Sequence, residues 1–247
     1  MPNHVSNEIR VIGPELRVMA FLAQGKVEGD EREFSFKGFC PPPTEGYSEG
    51  NGCSHRHPMP GMKEAIKRML GVDCPDDHPM LLRHLEPENH PNCWYVWNRE
   101  NWGTKWDAYD INVGSASTIL DRLARASSEV VEEVVAFDTA WDPPYPVFNV
   151  MAELYPDLRF KFRWMNEDMQ GSGGGQIDTE DSKLISGIND PDDPETGALW
   201  WELATQLCGY TKEQHEERLA EAAEDERLNA EAESKACHGS GDNPCEA

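Results

Sequence analysis

One stretch of the chain leaves little freedom in how it folds. Val147, Val150, Met151 and Leu154 recur at i, i+3, i+4 and i+7, behind the run Pro143-Pro144-Tyr145-Pro146 and ahead of Pro156. That spacing puts four apolar side chains on one face of a helix, and proline is tolerated at a helix start but not inside it. Both ends of a short helix are therefore marked. Immediately afterwards Leu158, Phe160, Phe162 and Trp164 alternate with Arg159, Lys161 and Arg163. Period two is the pattern of a strand with one buried face, and here the other face is a row of bases. A helix followed by a one-sided strand belongs to a layered α+β unit in which helix packs on sheet.

Upstream, strand and helix signals alternate in the same way. Residues 8–12 read as a strand, after which Pro14 opens a helix with Val18, Phe21 and Leu22 on one face and Gly25 as its stop. Further strands are predicted at 34–39, 106–113 and 134–141, with a helix at 118–126 that Ser115 or Ser117 would cap. Met62, Ile66, Met69 and Leu70 fall at helical spacing before Gly71. Strand, helix, strand, repeated, is the split βαβ order of a ferredoxin-like sandwich, an antiparallel sheet with helices on one face. An insertion with its own helix, at about residues 40–92, falls between the two halves. The term names topology alone, since no cysteine spacing suits an iron-sulfur cluster.

Charge narrows the functional classes. With 22 basic and 46 acidic side chains among 247 residues the net charge is −24, which excludes a polybasic nucleic-acid binder and membrane attachment by charge. No apolar run reaches the ~20 residues of a membrane span. The opening Met-Pro-Asn-His has neither the basic nor the apolar part of a secretory signal, so an intracellular, cytoplasmic protein is expected. Seven scattered cysteines, an odd number, fit reduced thiols rather than a disulfide framework.

The charge is also uneven. Residues 1–165 hold 17 basic and 25 acidic side chains, net −8, whereas residues 166–247 hold 5 and 21, net −16. Glycines at 171–175 and the Asp/Pro-rich run at 188–197 read as loop, dividing a domain at 1–185 from an acidic helical extension at 186–247. Within the extension Trp200, Leu203, Ala204 and Leu207 form an apolar stripe that should dock. Thr211 and Gln214 have capping-box form, and the helix predicted at 212–236 has only Leu219 and Leu228 as large apolar residues, so it should stay exposed. The Gly/Asn/Pro-rich end that follows should be disordered.

Four of the eight tryptophans and two of the six tyrosines lie within residues 93–110, interleaved with charges. Rings beside charges stack planar ligands, hold cations, or build a core with polar handles. An enzyme reading would converge Trp102, Lys105, Asp107 and Asp138 in one pocket, with Asp107, Asp110 and Asp138 as an acid-base or magnesium set. A binding reading follows from the pleat. If Ile9, Phe36, Tyr109, Phe137, Trp141 and Phe160 face the helices, then Trp106, Asp110, Asp138, Arg159, Lys161 and Arg163 face away, and an open basic, partly aromatic face results. Tyr109 and Trp141 are counted with it as binding candidates; that face would suit single-stranded nucleic acid, or the acidic extension could fold over it. Cys40, Cys53, His55 and His57 are the zinc candidates, although no Cys-x-x-Cys pair is present. Neither a nucleophile elbow nor a phosphate loop occurs, and no cofactor is expected.

Three separated motifs carry a family resemblance. Met1-Pro-Asn-His-Val-Ser-Asn7, Glu100-Asn-Trp-Gly-Thr-Lys-Trp-Asp-Ala-Tyr-Asp110, and Phe137-Asp-Thr-Ala-Trp-Asp-Pro-Pro-Tyr-Pro146 followed by Tyr155-Pro-Asp-Leu158 resemble the YubB-type ferredoxin-like family of phage and conjugative-plasmid proteins. The resemblance covers about residues 1–180 and implies the fold and a mobile-element origin, without catalytic residues. The insertion and the acidic tail depart from the family pattern. The first functional expectation is a non-enzymatic acidic protein that meets a host or element-encoded protein, including counter-defence by imitating nucleic-acid charge. A small enzyme near residues 94–110 and 138, or a single-strand binder, are the alternatives.

Overall fold

The longest alternation in the chain builds the centre of the molecule. The computed structural model describes residues 3–44, 47, 94–113, 122–169 and 173–238, with side chains to residue 230. In β1 (His4–Pro14) buried and half-buried positions alternate without a break. β1 pairs antiparallel with β3 (Val130–Ala140) on one side and β4 (Arg159–Asn166) on the other. β2 (Tyr109–Val113) adds beyond β3, and β5 (Gly174–Asp178) and β6 (Lys183–Ile188) add beyond β4, giving the order β2-β3-β1-β4-β5-β6. Helices α1 (Glu15–Gly25) and α3 (Tyr145–Leu154) follow β1 and β3, and α2 (Trp94–Asn101) precedes β2. The α+β, ferredoxin-like architecture expected from the sequence is the one observed.

The core lies between α1, α3 and one face of the sheet. Val147, Phe148 and Met151 of α3 are buried, and Phe148 stacks on Phe162 at 4.2 Å with the planes 15° apart. Phe21 of α1 packs on Phe160 at 5.2 Å. Each such ring contributes roughly 2–3 kcal/mol through burial. Gly25 ends α1 where a Cβ would come within 2.5 Å of the Phe34 ring, so the helix stop is also a close approach.

Three expectations need correction. Residues 34–39 are not a strand: they contain a 3-10 turn at Phe36–Gly38. The Phe36 amide donates to the Asp107 carboxylate and the Lys37 amide to Ser35 Oγ, so groups that a ladder would pair are taken by side chains. The second strand of the first βαβ half is therefore β2, and the insertion lies between α1 and β2 rather than between the halves. Of the glycine string at 171–175, read as a hairpin or linker, Gly174 and Gly175 lie in β5 of the hairpin β5–β6. There a Cβ on Gly175 would meet the Trp164 ring at 2.2 Å, so glycine provides closeness between strands. Finally, helices cover both faces. α4 (Gly197–Cys208) lays Trp200, Leu203 and Ala204 on Met165, Met169 and Ile188, a second small core opposite the first.

α5 (Lys212–His238) begins at the expected capping box, with the Gln214 amide donating to Thr211 Oγ1 and the Thr211 amide to Gln214 Oε1. The helix predicted at 62–70 lies outside the described residues, as do residues 118–121 of the one predicted at 118–126. Among the described residues no helix is long and apolar enough to cross a membrane.

Candidate functional site

The tryptophan-rich segment divides between the inside and the rim. Trp102 is fully buried; its Nε1–H donates to the Cys40 carbonyl at 3.0 Å and its ring meets Phe36 edge-on at 5.9 Å. Asp107 is buried as well. It accepts from Ser35 Oγ at 2.7 Å and from the amides of Phe36 and Ala108 at 2.8 Å, and pairs with Arg32 at 3.0 Å. Burial pushes its carboxyl above the usual range while these donors and Arg32 pull it back. Its oxygens are occupied in clamping the 34–38 turn to the entrance of β2.

Asp138 stands in β3. Ser6 and Tyr109 oppose it in register, and its side chain is half-buried. Burial raises its carboxyl, Asp110 and Glu167 raise it further, and Ser6 and His4 oppose the shift. Tyr109 donates to the Thr139 carbonyl at 3.0 Å and lies 2.7 Å from His4 Nδ1. Tyr109 was expected to face the helices. An irregularity between Tyr109 and Asn112, with Asp110 at φ +48°, breaks the alternation and turns it outward. Nearby, burial pushes the Cys208 thiol up to about 11, too high for a thiolate nucleophile near neutral pH. The four candidates Trp102, Lys105, Asp107 and Asp138 are thus not brought into one pocket.

The basic row is present but matched. Arg10 pairs with Glu8 at 2.7 Å and Glu132 at 3.1 Å. Arg159 pairs with Asp178 at 2.6 Å and with Glu180, and it holds the Asp178 carboxyl below the usual range. Lys161 also lowers Asp178. Arg163 is 1% exposed beneath α4, bound to Glu8 at 3.0 Å, Gln206 at 2.8 Å and Glu202 at 3.3 Å. The open basic face is therefore corrected: the chain's own carboxylates answer the row, and the part of the extension that covers it is α4, while the acidic α5 docks elsewhere.

A different group of cations lies on the rim. β3 ends at Ala140, and Trp141 leaves it at φ +80° with its amide donating to the Asn3 carbonyl at 2.8 Å. Trp141 is only half-buried, against the expectation that it faces the helices. Lys105 Nζ stands 5.0 Å from the Trp141 ring centre and 4.8 Å from that of Trp106. Arg99 of α2 lies 5.9 Å from Trp141 and 5.8 Å from Tyr95, and Tyr95 meets Trp141 edge-on at 6.0 Å. Sequence reasoning named Lys105, Trp106 and Trp141 but passed over Tyr95 and Arg99, whose four-residue spacing on a helix was the available signal.

α5 touches the body through its first turns. His215 packs edge-on against Trp200 at 5.8 Å and Trp201 at 5.3 Å, and Arg218 donates to the Asp168 carbonyl at 3.5 Å. A cavity of about 120 Å³ between α5 and the body is lined by Met169, Trp200, His215, Leu219 and Ala222 among others. From Glu216 to Ala230 every side chain is exposed.

Of the zinc candidates, Cys40 has a thiol raised by burial, and Cys53, His55 and His57 lie outside the described residues. Among the described residues no three His, Cys, Asp or Glu side chains are placed to hold a metal.

Neither the curated proteins nor the solved structures contain a match to this chain. A family model does match part of it: residues 123–211, which include β3, β4, the β5–β6 hairpin and α4, fit the ferredoxin-like domain in Api92-like protein.

Proposed function

We propose that the protein is a non-enzymatic binding protein that presents α5 to a basic surface on a partner protein, as an accessory of a phage or plasmid in the bacterial cytoplasm. One observation carries this reading. At 100° per residue Glu213, Glu217, Glu221 and Glu224 fall on one stripe of α5, opposite the side bearing His215, Arg218, Leu219 and Ala222 that meets the body. The docked side anchors the helix and the acidic side faces solvent.

Magnitude favours imitation of a single strand. The stripe's four carboxylates span residues 213–224, and at ~1.5 Å of rise per residue this is one per about 5.5 Å. A single nucleic-acid strand carries one phosphate per about 3.4 Å. A groove built for such a strand would accept the stripe through long-range attraction, which acts mainly on the association rate. The test is capture from a host lysate with the full chain and with the triple variant Glu213→Gln, Glu217→Gln, Glu221→Gln. A partner should be held at low salt, be released at high salt or by a single-stranded oligonucleotide, and bind the variant about tenfold more weakly. Capture that survives the triple substitution, or no partner at either salt, refutes the proposal.

A further inference from the structure

We propose a second binding site, independent of α5: the rim formed by Tyr95, Arg99, Lys105, Trp106 and Trp141 takes a nucleoside phosphate, a planar ring joined to an anion. The charge arrangement points there first. In a chain with 46 acidic and 22 basic side chains, carboxylates are available to answer many of the cations. Arg10, Arg17, Arg32, Arg122, Arg159 and Arg163 each close an ion pair. Among the described residues Arg99 and Lys105, like Lys26, Lys161, Lys183, Lys212 and Arg218, close none; what sets these two apart is that their side chains meet the same aromatic ring. Both lie within 6 Å of the Trp141 ring centre, so their positive charges add at one place.

The rings supply the other half of the site. Trp106 is 37% exposed, whereas Trp102, Trp164 and Trp200 are at 2% or less. A ring left at the surface beside an ammonium group offers a stacking face next to an anion site. Trp141 is held at φ +80°, which is sterically costly for a residue with a Cβ and persists only where its surroundings enforce it. Here the Trp141 amide is held by the Asn3 carbonyl, and the ring stands within 6 Å of both cations. A cationic ligand is disfavoured because Lys105 and Arg99 already occupy the positions it would seek.

The ligand is a single nucleotide unit rather than a polymer. A net charge of −24 repels a polyanion, while one phosphate experiences chiefly the nearest charges. The base would stack on Trp106 and the phosphate would meet Lys105 and Arg99. Any base suffices for stacking, since each presents a π face.

Tryptophan fluorescence of the full chain tests this with four probes: the nucleoside 5′-monophosphates, the matching nucleosides, inorganic phosphate, and a short single-stranded oligonucleotide. Saturable quenching by the monophosphates is expected, with nucleosides and phosphate each about tenfold weaker or more. Trp106→Ala should weaken binding at least about tenfold and Trp106→Phe should restore part of it, with far-ultraviolet circular dichroism unchanged. Lys105→Gln with Arg99→Gln should remove the preference for monophosphate over nucleoside. An oligonucleotide that binds more tightly per molecule than the monophosphates would overturn the single-unit assignment. No saturation by any monophosphate up to about 5 mM, phosphate binding as well as nucleotide, or indifference to Trp106→Ala would overturn the site.

Discussion

On the face covered by α1 and α3 the central strands contribute Val5, Ile9, Phe137, Phe160 and Phe162, all nearly inaccessible. On the other face the same strands contribute Glu8, Arg10, Asp138, Arg159 and Arg163, tied into ion pairs or, at Asp138, left among other carboxylates. One face is held by excluded water and close packing; the other is held by partners that must arrive from elsewhere in the chain. Glu132 reaches Arg10 from β3, and Glu202 reaches Arg163 from α4. The first kind of order depends on local pattern and the second on tertiary neighbours, so the two faces should respond differently to substitution.

The largest effect belongs to the helix-covered face. Phe162→Ala removes a fully enclosed ring that stacks on both Phe148 and Phe160, and should cost about 3–5 kcal/mol in urea unfolding. Next is Asp107→Ala, at about 3 kcal/mol, because it leaves the Ser35 hydroxyl and the amides of Phe36 and Ala108 buried without an acceptor. If Asp107→Ala costs under 1 kcal/mol, the 34–38 turn is not held by that carboxylate. The small core beneath α4 has fewer neighbours to lose. Leu203→Ala should cost about 2 kcal/mol, the lower end for a buried leucine, and should loosen the cover over Arg163. Hydrogen exchange of the α4 amides reads that loosening directly.

How much of this was legible in the residues follows the same division. The alternation Phe160, Phe162, Trp164 and the stripe Val147, Val150, Met151, Leu154 announced β4 and α3 because burial of one face imposes a period on the sequence. The basic row Arg159, Lys161, Arg163 was equally visible, but its neutralisation was not, since Asp178 and Glu202 are separated from it by turns that carry no periodic signal. The 34–39 segment misled for a related reason. Phe34 and Phe36 have strand spacing and are buried, yet a carboxylate 71 residues away takes the Phe36 amide. Gly174 and Gly175 looked like flexibility and serve as clearance for Trp164 and Met165. On the rim, Trp106 and Trp141 were named from the strand pleat, whereas the turn of Tyr109 to the outer face required the irregularity in β2 that no residue pattern encodes.

The smallest effect distinguishes the faces by sign. Asp138 has a folded-state carboxyl raised above its ordinary 3.8 by burial and then by Asp110 and Glu167, so the native state binds the proton more tightly than the unfolded chain does. Stability from this group is greatest below 3.8 and falls as pH rises through the raised value. Asp30 runs the other way. Arg32 holds it down to about 2, so its contribution is present above 3.8 and is lost as pH falls toward 2. Asp138→Asn keeps a side chain able to bond Ser6, removes the charge, and should raise stability at pH 7 by under about 1 kcal/mol after solvent screening. Chemical denaturation from pH 3 to 7 should show the gain growing with pH. A gain that is constant across that range, or a loss at pH 7, would mean that Asp138 ionises without penalty among its acidic neighbours, and the outer face would then be as well compensated there as it is around Arg163.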